Sequence, residues 1–214
     1  MTMSPALTPE TAAAEAQATP VRVAVIVGSI RTGRFGPAPA RWIADRARRR
    51  EGFEVDLIDL AEADVPPVLG GDSADARMPE QIAALSRRLH AADAFIVVTP
   101  VYNRSFPGSV KNAIDWFFSE WRLKPVGFVS YGGTYGGIES VAALREVFAE
   151  FDAVALSYAV AFPDFWEAFD HDSLPVDAER AAARAARLFD QLEWWAATLR
   201  EGRARQPFPG TPSD

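Results

Sequence analysis

Val23–Gly36, VAVIVGSIRTGRFG, with Pro37 directly after it, is the stretch on which the reading of the chain turns. Its first half is β-branched and apolar on both faces, as a central parallel strand requires. Its second half is a turn built from Gly28, Ser29, Arg31, Gly33, Arg34 and Gly36. Pro37 has its φ pre-set for the first turn of a helix, so strand, turn and helix follow without a gap. Such a turn is an anion site in outline. Glycines permit a tight path, exposed N–H groups point outward, and the helix N-terminus adds partial positive charge. The Ser29 hydroxyl and the forked guanidinium groups of Arg31 and Arg34 are donors suited to phosphate.

Around this stretch the same unit repeats. The first strand is placed at Val21–Gly28 and its helix at Pro37–Arg50. Phe53–Leu60 alternates apolar and acidic residues, which marks a strand nearer an edge. A long connection, Ala61–Pro79, carries Pro66-Pro67 and Gly70-Gly71 and leads to a helix over Glu80–Ala91 with Ile82, Leu85 and Leu89 in register. Connections of this length are usually functional or mobile. Asp93–Thr99 is the third strand, expected to stop before Pro100 because proline cannot donate to a ladder. Pro107 and Gly108 open a helix with Val110, Ala113, Ile114, Phe117 and Trp121 down one side; Trp116 and Phe118 widen that side beyond one stripe, for the core or for a subunit interface. Lys124–Tyr131 is the fourth strand, and the turn after it has four glycines within residues 132–137. A helix over Ile138–Phe151, a fifth strand over Ala153–Ala161, an aromatic loop over Phe162–Pro175 and a closing helix over Asp177–Arg200 complete the series.

Strands alternating with helices in this way imply a doubly wound parallel sheet with right-handed crossovers. The ligand of such a sheet sits beyond the C-terminal strand ends, where the strand order reverses. The unusual loops follow strands one, three and four, which are neighbours in the order 2-1-3-4-5, so they converge on one site. Known phosphate-loop signatures fit poorly. Gly28 and Gly33 have the GxxxxG spacing, but Arg34-Phe35 follows instead of Lys-Ser or Lys-Thr, and no GxGxxG turn follows the first strand.

Composition bounds the rest. The chain has 214 residues, enough for one full α/β core with tails. Residues 1–20, with no Lys or Arg, read as a disordered leader and not a targeting peptide. Residues 21–200 form the domain, and 201–214, with three Pro and two Gly from Gly202 onward, form a flexible tail. A net charge of −7 argues against broad nucleic-acid or anionic-membrane binding. The absence of cysteine excludes disulfides, thiolate metal sites and cysteine nucleophiles and fits a reducing compartment, the cytoplasm being the expected one. The two histidines, His90 and His171, do not make a metal site, and no apolar run approaches the ~20 residues of a membrane helix.

Three segments together, GSIRTGR (28–34), PVYNRSFPGSVKNAID (100–115) and SYGGTYGG (130–137), resemble the NADPH-dependent FMN reductase family, whose fold is flavodoxin-like: a five-stranded parallel sheet of order 2-1-3-4-5 in an α/β/α sandwich. The resemblance spans roughly residues 22–160 and rests most on the long middle segment. It implies non-covalently bound FMN, reduced by NADPH or NADH as co-substrate, and a small-molecule electron acceptor such as a flavin or quinone, served in ping-pong fashion. It also implies a homodimer, or a tetramer built as a dimer of dimers.

Position by position, the resemblance assigns Ser29, Arg31 and Arg34, with the amides of Phe35 and Gly36, to the FMN phosphate. Many relatives carry a second serine where this chain has Arg34, so Arg34 either donates to phosphate or points to solvent. Pro100, Val101, Tyr102 and Asn103 would flank the isoalloxazine and ribityl chain; some relatives have Glu at the Val101 position, so a polar contact to the ring edge is missing. Ser130, Tyr131, Gly132 and Gly133 would approach the pyrimidine side with backbone N–H groups. No catalytic acid or base is named, because hydride transfer to a flavin needs positioning and electrostatics from the protein and no nucleophile.

Other roles compete at several positions. Tyr102 could fill the core, Asn103 could cap the following helix, and Lys111, Asn112 and Asp115 read as helix and interface residues. The basic run Arg46, Arg48, Arg49 and Arg50 complements the helix dipole more simply than it recognises an adenosine 2′-phosphate. The aromatic loop could be a lid, a dimer contact or ordinary packing. A flavodoxin-type electron carrier, which binds FMN but does not oxidise NAD(P)H itself, is the alternative function; flavodoxin phosphate loops are typically rich in Ser/Thr and lack an Arg at the Arg31 position.

Overall fold

The structure, a computed structural model, describes residues 19–69 and 79–209. Most of the expected leader, the middle of the 61–79 connection and the end of the expected tail lie outside the described residues. Five strands, β1 (Val21–Val27), β2 (Phe53–Asp59), β3 (Ala94–Pro100), β4 (Pro125–Tyr131) and β5 (Val154–Phe162), form one parallel sheet of order β2-β1-β3-β4-β5. The helices are α1 (Pro37–Arg48), α2 (Glu80–Ala91), α3 (Gly108–Asp115), α4 (Ile138–Ala149), α5 (Phe165–Ala168) and α6 (Ala178–Arg205).

Alternation along the strands distributes side chains to two cores. Val23, Val25, Ile96, Val98 and Val129 face α1 and α6, where Ile43, Leu188 and Leu192 bury against them. Ala24, Ile26, Phe95, Val97 and Phe128 face the other layer and meet Leu85 and Leu89 of α2, Ile114 of α3 and Leu144 and Phe148 of α4. β3 and β4 are buried along their whole length, the property that gives central parallel strands their unbroken apolar runs.

Several boundaries differ from the sequence reading, each for a local reason. Pro100 closes β3 instead of falling outside it: it pairs with Tyr131, and the ladder bond there runs from Val101 N–H to Tyr131 O at 3.2 Å, so proline's missing donor is not needed. The helix after Pro107 stops at Asp115. The Ile114 carbonyl then accepts from Phe117 N–H and from the Trp121 indole, both at 3.2 Å, which turns the chain while burying both rings. Trp116 packs inward and its indole donates to Pro66 O at 2.9 Å, with Asn112 donating to the same carbonyl at 2.9 Å; these two residues tether the long connection. The closing helix does not end at Arg200. It continues to Arg205, because Arg200 and Arg203 reach Asp93 at the N-terminal edge of β3, and Arg203 also donates to Leu123 O.

β5 is an edge strand with an irregularity. Val126 pairs with Ala155 but Phe128 with Ala159, so β5 spends extra residues against β4. The guanidinium of Arg145 on α4 donates to Leu156 O (3.1 Å) and Ser157 O (2.7 Å), and Arg184 of α6 donates to Ala161 O at 3.1 Å.

Candidate functional site

The C-terminal ends of β1, β3 and β4 meet around a cavity of about 350 Å³. The loop after β1 contributes Arg31, Thr32, Gly33, Arg34 and Phe35, the loop after β3 Pro100, Val101 and Tyr102, and the end of β4 Tyr131, Gly132 and Gly133. Phe165 of α5 closes the set. Nine of the residues expected from the sequence therefore line one cavity, as the strand order requires. Thr32, Gly33 and Phe165 were not among them.

Ser29, Gly36, Asn103 and Ser130 stand elsewhere. Ser29 is fully buried beneath the loop, its hydroxyl 2.6 Å from that of Tyr102. Asn103 and Arg104 both have positive φ, 49° and 68°, and form the tight turn of a Tyr102–Ser105 bridge. Asn is one of the few residues that enters that region readily. The turn bends Tyr102 back over the phosphate-type loop, where the Arg31 guanidinium lies 5.1 Å from its ring centroid. Tyr102 is thus neither a core residue nor confined to the ring end of the site, and Asn103 shapes the turn instead of capping α3, whose N-cap is Pro107. Ser130 is fully buried with an unpartnered hydroxyl, on the face opposite Tyr131 and against Gly137, which opens α4.

Tyr131 ties the loops together. Its phenol reaches back to the Gly36 amide and to Ser29, and burial, more than any neighbour, drives its pKa well above the ordinary tyrosine value, with Tyr102 adding to the rise. Its ring makes edge contacts with Phe35 at 5.5 Å and with Phe165 at 5.7 Å. A Cβ on Gly36 would sit 2.8 Å from the Tyr131 hydroxyl, so that position must be glycine for the phenol to dock. The Tyr131 hydroxyl fills the space beside Gly36. Backbone bonds hold α5 in place: Asp164 N–H donates to Gly133 O (3.0 Å), Phe165 N–H to Gly132 O (3.1 Å), and Gly132 N–H to Phe162 O (3.2 Å). The aromatic loop is therefore wall, not detached lid. Trp166 beside it is 61% exposed and lies against Gly133 at the rim.

Arg34 neither points to solvent nor stands free. Its Nη2 is 2.5 Å from Asp59 Oδ2 at the end of β2, with side-chain exposures of 20% and 14%. Its Nε is enclosed and has no partner. A sequence model of the NADPH-dependent FMN reductase family matches residues 21–167, more than half the chain and all of the cavity-lining residues. The chain belongs to this family.

Family relatives include an NAD(P)H-dependent FMN reductase of Schizosaccharomyces pombe, 35% identical over 133 residues that cover 59% of this chain and 64% of that protein. A 2-hydroxy-1,4-benzoquinone reductase of a Burkholderia species is 32% identical over 166 residues, 74% of this chain and 83% of that protein. Among solved structures, FerB of Paracoccus denitrificans, a flavoenzyme NAD(P)H:(acceptor) oxidoreductase, superposes with a TM-score of 0.67 at 28% identity, over 82% of this chain and 97% of that one. The chain spans just under two thirds of the length of the S. pombe relative.

The cavity fits the group that the family name implies. The unpartnered Arg34 Nε and the cationic Arg31 stand at one end among turn amides, as a phosphate requires. Pro100, Val101, Gly132 and Phe165 give apolar or flat walls at the other, as a ring system requires. Val101 meets Gly132 so closely that a Cβ there would come within 2.7 Å of it, which joins the β3 and β4 loops into one wall. Among the described residues no group of three His, Asp or Glu is placed to hold a metal ion, and no helix is long and apolar enough to cross a membrane.

Proposed function

We propose that this family member binds FMN in the cavity between the β1, β3 and β4 loops and oxidises NADPH or NADH, passing the electrons to a small-molecule acceptor of the quinone or flavin class. The observation that carries this reading is the convergence of a phosphate-type loop and two ring-flanking loops on one cavity. The names of the relatives, FMN reductase and benzoquinone reductase, point the same way. When bound, the flavin supplies a ring that takes a hydride from the nicotinamide and later returns the electrons to the acceptor. Everything else is positioning by the chain. Arg31 neutralises the phosphate and the amides of Thr32, Gly33 and Phe35 donate to it, the Arg34 N–H being spent on Arg31 O at 3.1 Å. Val101 and Phe165 exclude water from the ring. The Gly132 N–H is spent on Phe162 O, so the donor for negative charge on the pyrimidine edge falls to the Gly133 amide. No side chain acts as nucleophile, acid or base. Since one open face admits donor and acceptor in turn, the kinetics are ping-pong.

The test is a visible spectrum of the protein reconstituted with FMN, before and after anaerobic NADPH and then NADH. Flavin absorbance bleaching within seconds supports the reductase and ranks the donors. Absorbance that persists returns the flavodoxin-type carrier, and failure to bind FMN removes both.

The assembly belongs to the same proposal. Trp116 is tethered inward and only partly exposed, whereas Ile30, Val68, Leu69 and Phe118 are each at least half exposed. Apolar side chains of this size are the material of a homodimer face. Light scattering at micromolar concentration that gives only the mass of one chain would refute it. A cysteine-free chain suits the reducing cytoplasm, which cell fractionation tests.

A further inference from the structure

We propose that Asp59 is a positioning residue for the phosphate of the bound flavin nucleotide, acting through Arg34. The inference rests on the FMN reading above and adds a residue from β2, outside the three loops that line the cavity. Asp59 is itself held: Oδ1 accepts the Ala61 N–H at 3.0 Å while Oδ2 takes Arg34 Nη2. The carboxylate is therefore fixed by its own backbone and fixes the guanidinium in turn.

Two physical consequences follow. A carboxylate beside an anion site would ordinarily repel the anion, but its charge is here matched by Arg34 at contact distance in a largely buried pair. The pair is close to neutral toward the phosphate, so the long-range attraction comes from Arg31 and the turn amides. What Arg34 offers is direction. With Nη2 committed to Asp59, the guanidinium is held in one orientation on a side chain that lines the cavity and is still 20% exposed, so its remaining donors need little ordering to meet a phosphate oxygen. Asp59 selects the rotamer in which Arg34 lines the cavity. Without it the flexible guanidinium stem regains its other rotamers, and ordering it again is charged against binding.

The experiment is a flavin-fluorescence titration of the FMN-free protein with FMN and, separately, with riboflavin, for wild type, Asp59→Ala, Arg34→Met and the double variant. Asp59→Asn, which keeps the shape and one acceptor for Ala61, is run beside Asp59→Ala so that a folding defect in one does not decide the matter. Expected is an FMN Kd raised about tenfold by loss of Asp59, a riboflavin Kd unchanged, and no further loss when Asp59 is removed in the Arg34→Met background. An unchanged or tighter FMN Kd in the Asp59 variants overturns the inference. So does an equal loss for riboflavin, or an undiminished loss in the Arg34→Met background, since either would mean that Asp59 supports the loop without working through Arg34. Wild type that fails to bind FMN overturns the flavin reading itself, a result distinct from wild type that binds while its Asp59 variants match it.

Discussion

Replacing Gly36 with alanine should destabilise the protein, and the cost should vanish when the Tyr131 hydroxyl is also removed. Gly36 has φ −45° and ψ −35°, a right-handed conformation open to any residue, so alanine meets no backbone strain there. Its Cβ meets the Tyr131 hydroxyl at 2.8 Å and Val27 Cγ1 at 3.4 Å. The phenol cannot swing aside, because Tyr131 is 3% exposed and wedged between Phe35 and Phe165. Overpacking of this kind costs about 1–3 kcal/mol, a Tm decrease of about 2–12 °C for a domain of this size. Tyr131→Phe alone should cost about 1 kcal/mol, for the polar contacts of the buried phenol beside Gly36 and Ser29. In the Tyr131→Phe background the nearest atoms to the new methyl are Val27 Cγ1 at 3.4 Å and the ring carbon Cζ at 3.7 Å, ordinary contacts. There the alanine should be neutral or stabilising by about 0.4–1 kcal/mol, through the smaller entropy of the unfolded chain. Urea unfolding of the four FMN-free proteins measures the coupling directly. If the alanine costs the same in both backgrounds, the phenol does not dock on Gly36 and the account of how the β1 and β4 loops are joined is wrong.

Other outcomes are as specific. Arg31→Ala should weaken FMN binding by about 1.5–3 kcal/mol, or about 10- to 150-fold, in a fluorescence titration; unchanged affinity would remove Arg31 from the phosphate. Burial holds the Lys124 ammonium, which donates to Leu89 O and His90 O, down at about 8, with Arg203 lowering it further and Asp93 and Glu120 opposing. The unfolded chain keeps that proton to about 10.5, so between pH 8 and 10 it binds more protons than the folded chain, and stability contributed by this group rises with pH. Urea midpoints of wild type should therefore climb relative to Lys124→Met from pH 8 to 9.5, and parallel profiles would refute the shift. Trp166→Ala should raise KM for a planar naphthoquinone about 2- to 12-fold, the value of one aromatic contact, while leaving FMN affinity intact; a loss of FMN binding instead would place Trp166 inside the cofactor site.

The sheet was legible because buried parallel strands have few disguises. The runs before Gly28, Pro100 and Gly132 are apolar on both faces, and the order 2-1-3-4-5 brought the three odd loops at their ends together. Within the site the legible residues are those on the loops themselves. Those that were misplaced or missed depend on geometry across the fold. Ser130 precedes Tyr131 in a strand, so the two point to opposite layers, and period-2 alternation alone would have separated them. Phe165 is one aromatic among several between Phe162 and Phe169, and nothing local says which ring turns inward. Asp59 looks like Asp56 three residues earlier, another acid in FEVDLID; only its partner, Arg34, distinguishes it. The overrun of α6 to Arg205 has the same origin, since Arg200 and Arg203 find Asp93 more than 100 residues away.

The irregular course of β5 bears on how copies of this chain can meet. An edge strand offers a row of unused acceptors and donors to any extended segment that comes alongside. Here the carbonyls of Leu156 and Ser157 are occupied by Arg145 and that of Ala161 by Arg184, and the bulge breaks the even spacing a foreign strand would need to match. The sheet is thus terminated from within. A second copy is therefore hindered from continuing the sheet across β5, which removes one path to open-ended stacking.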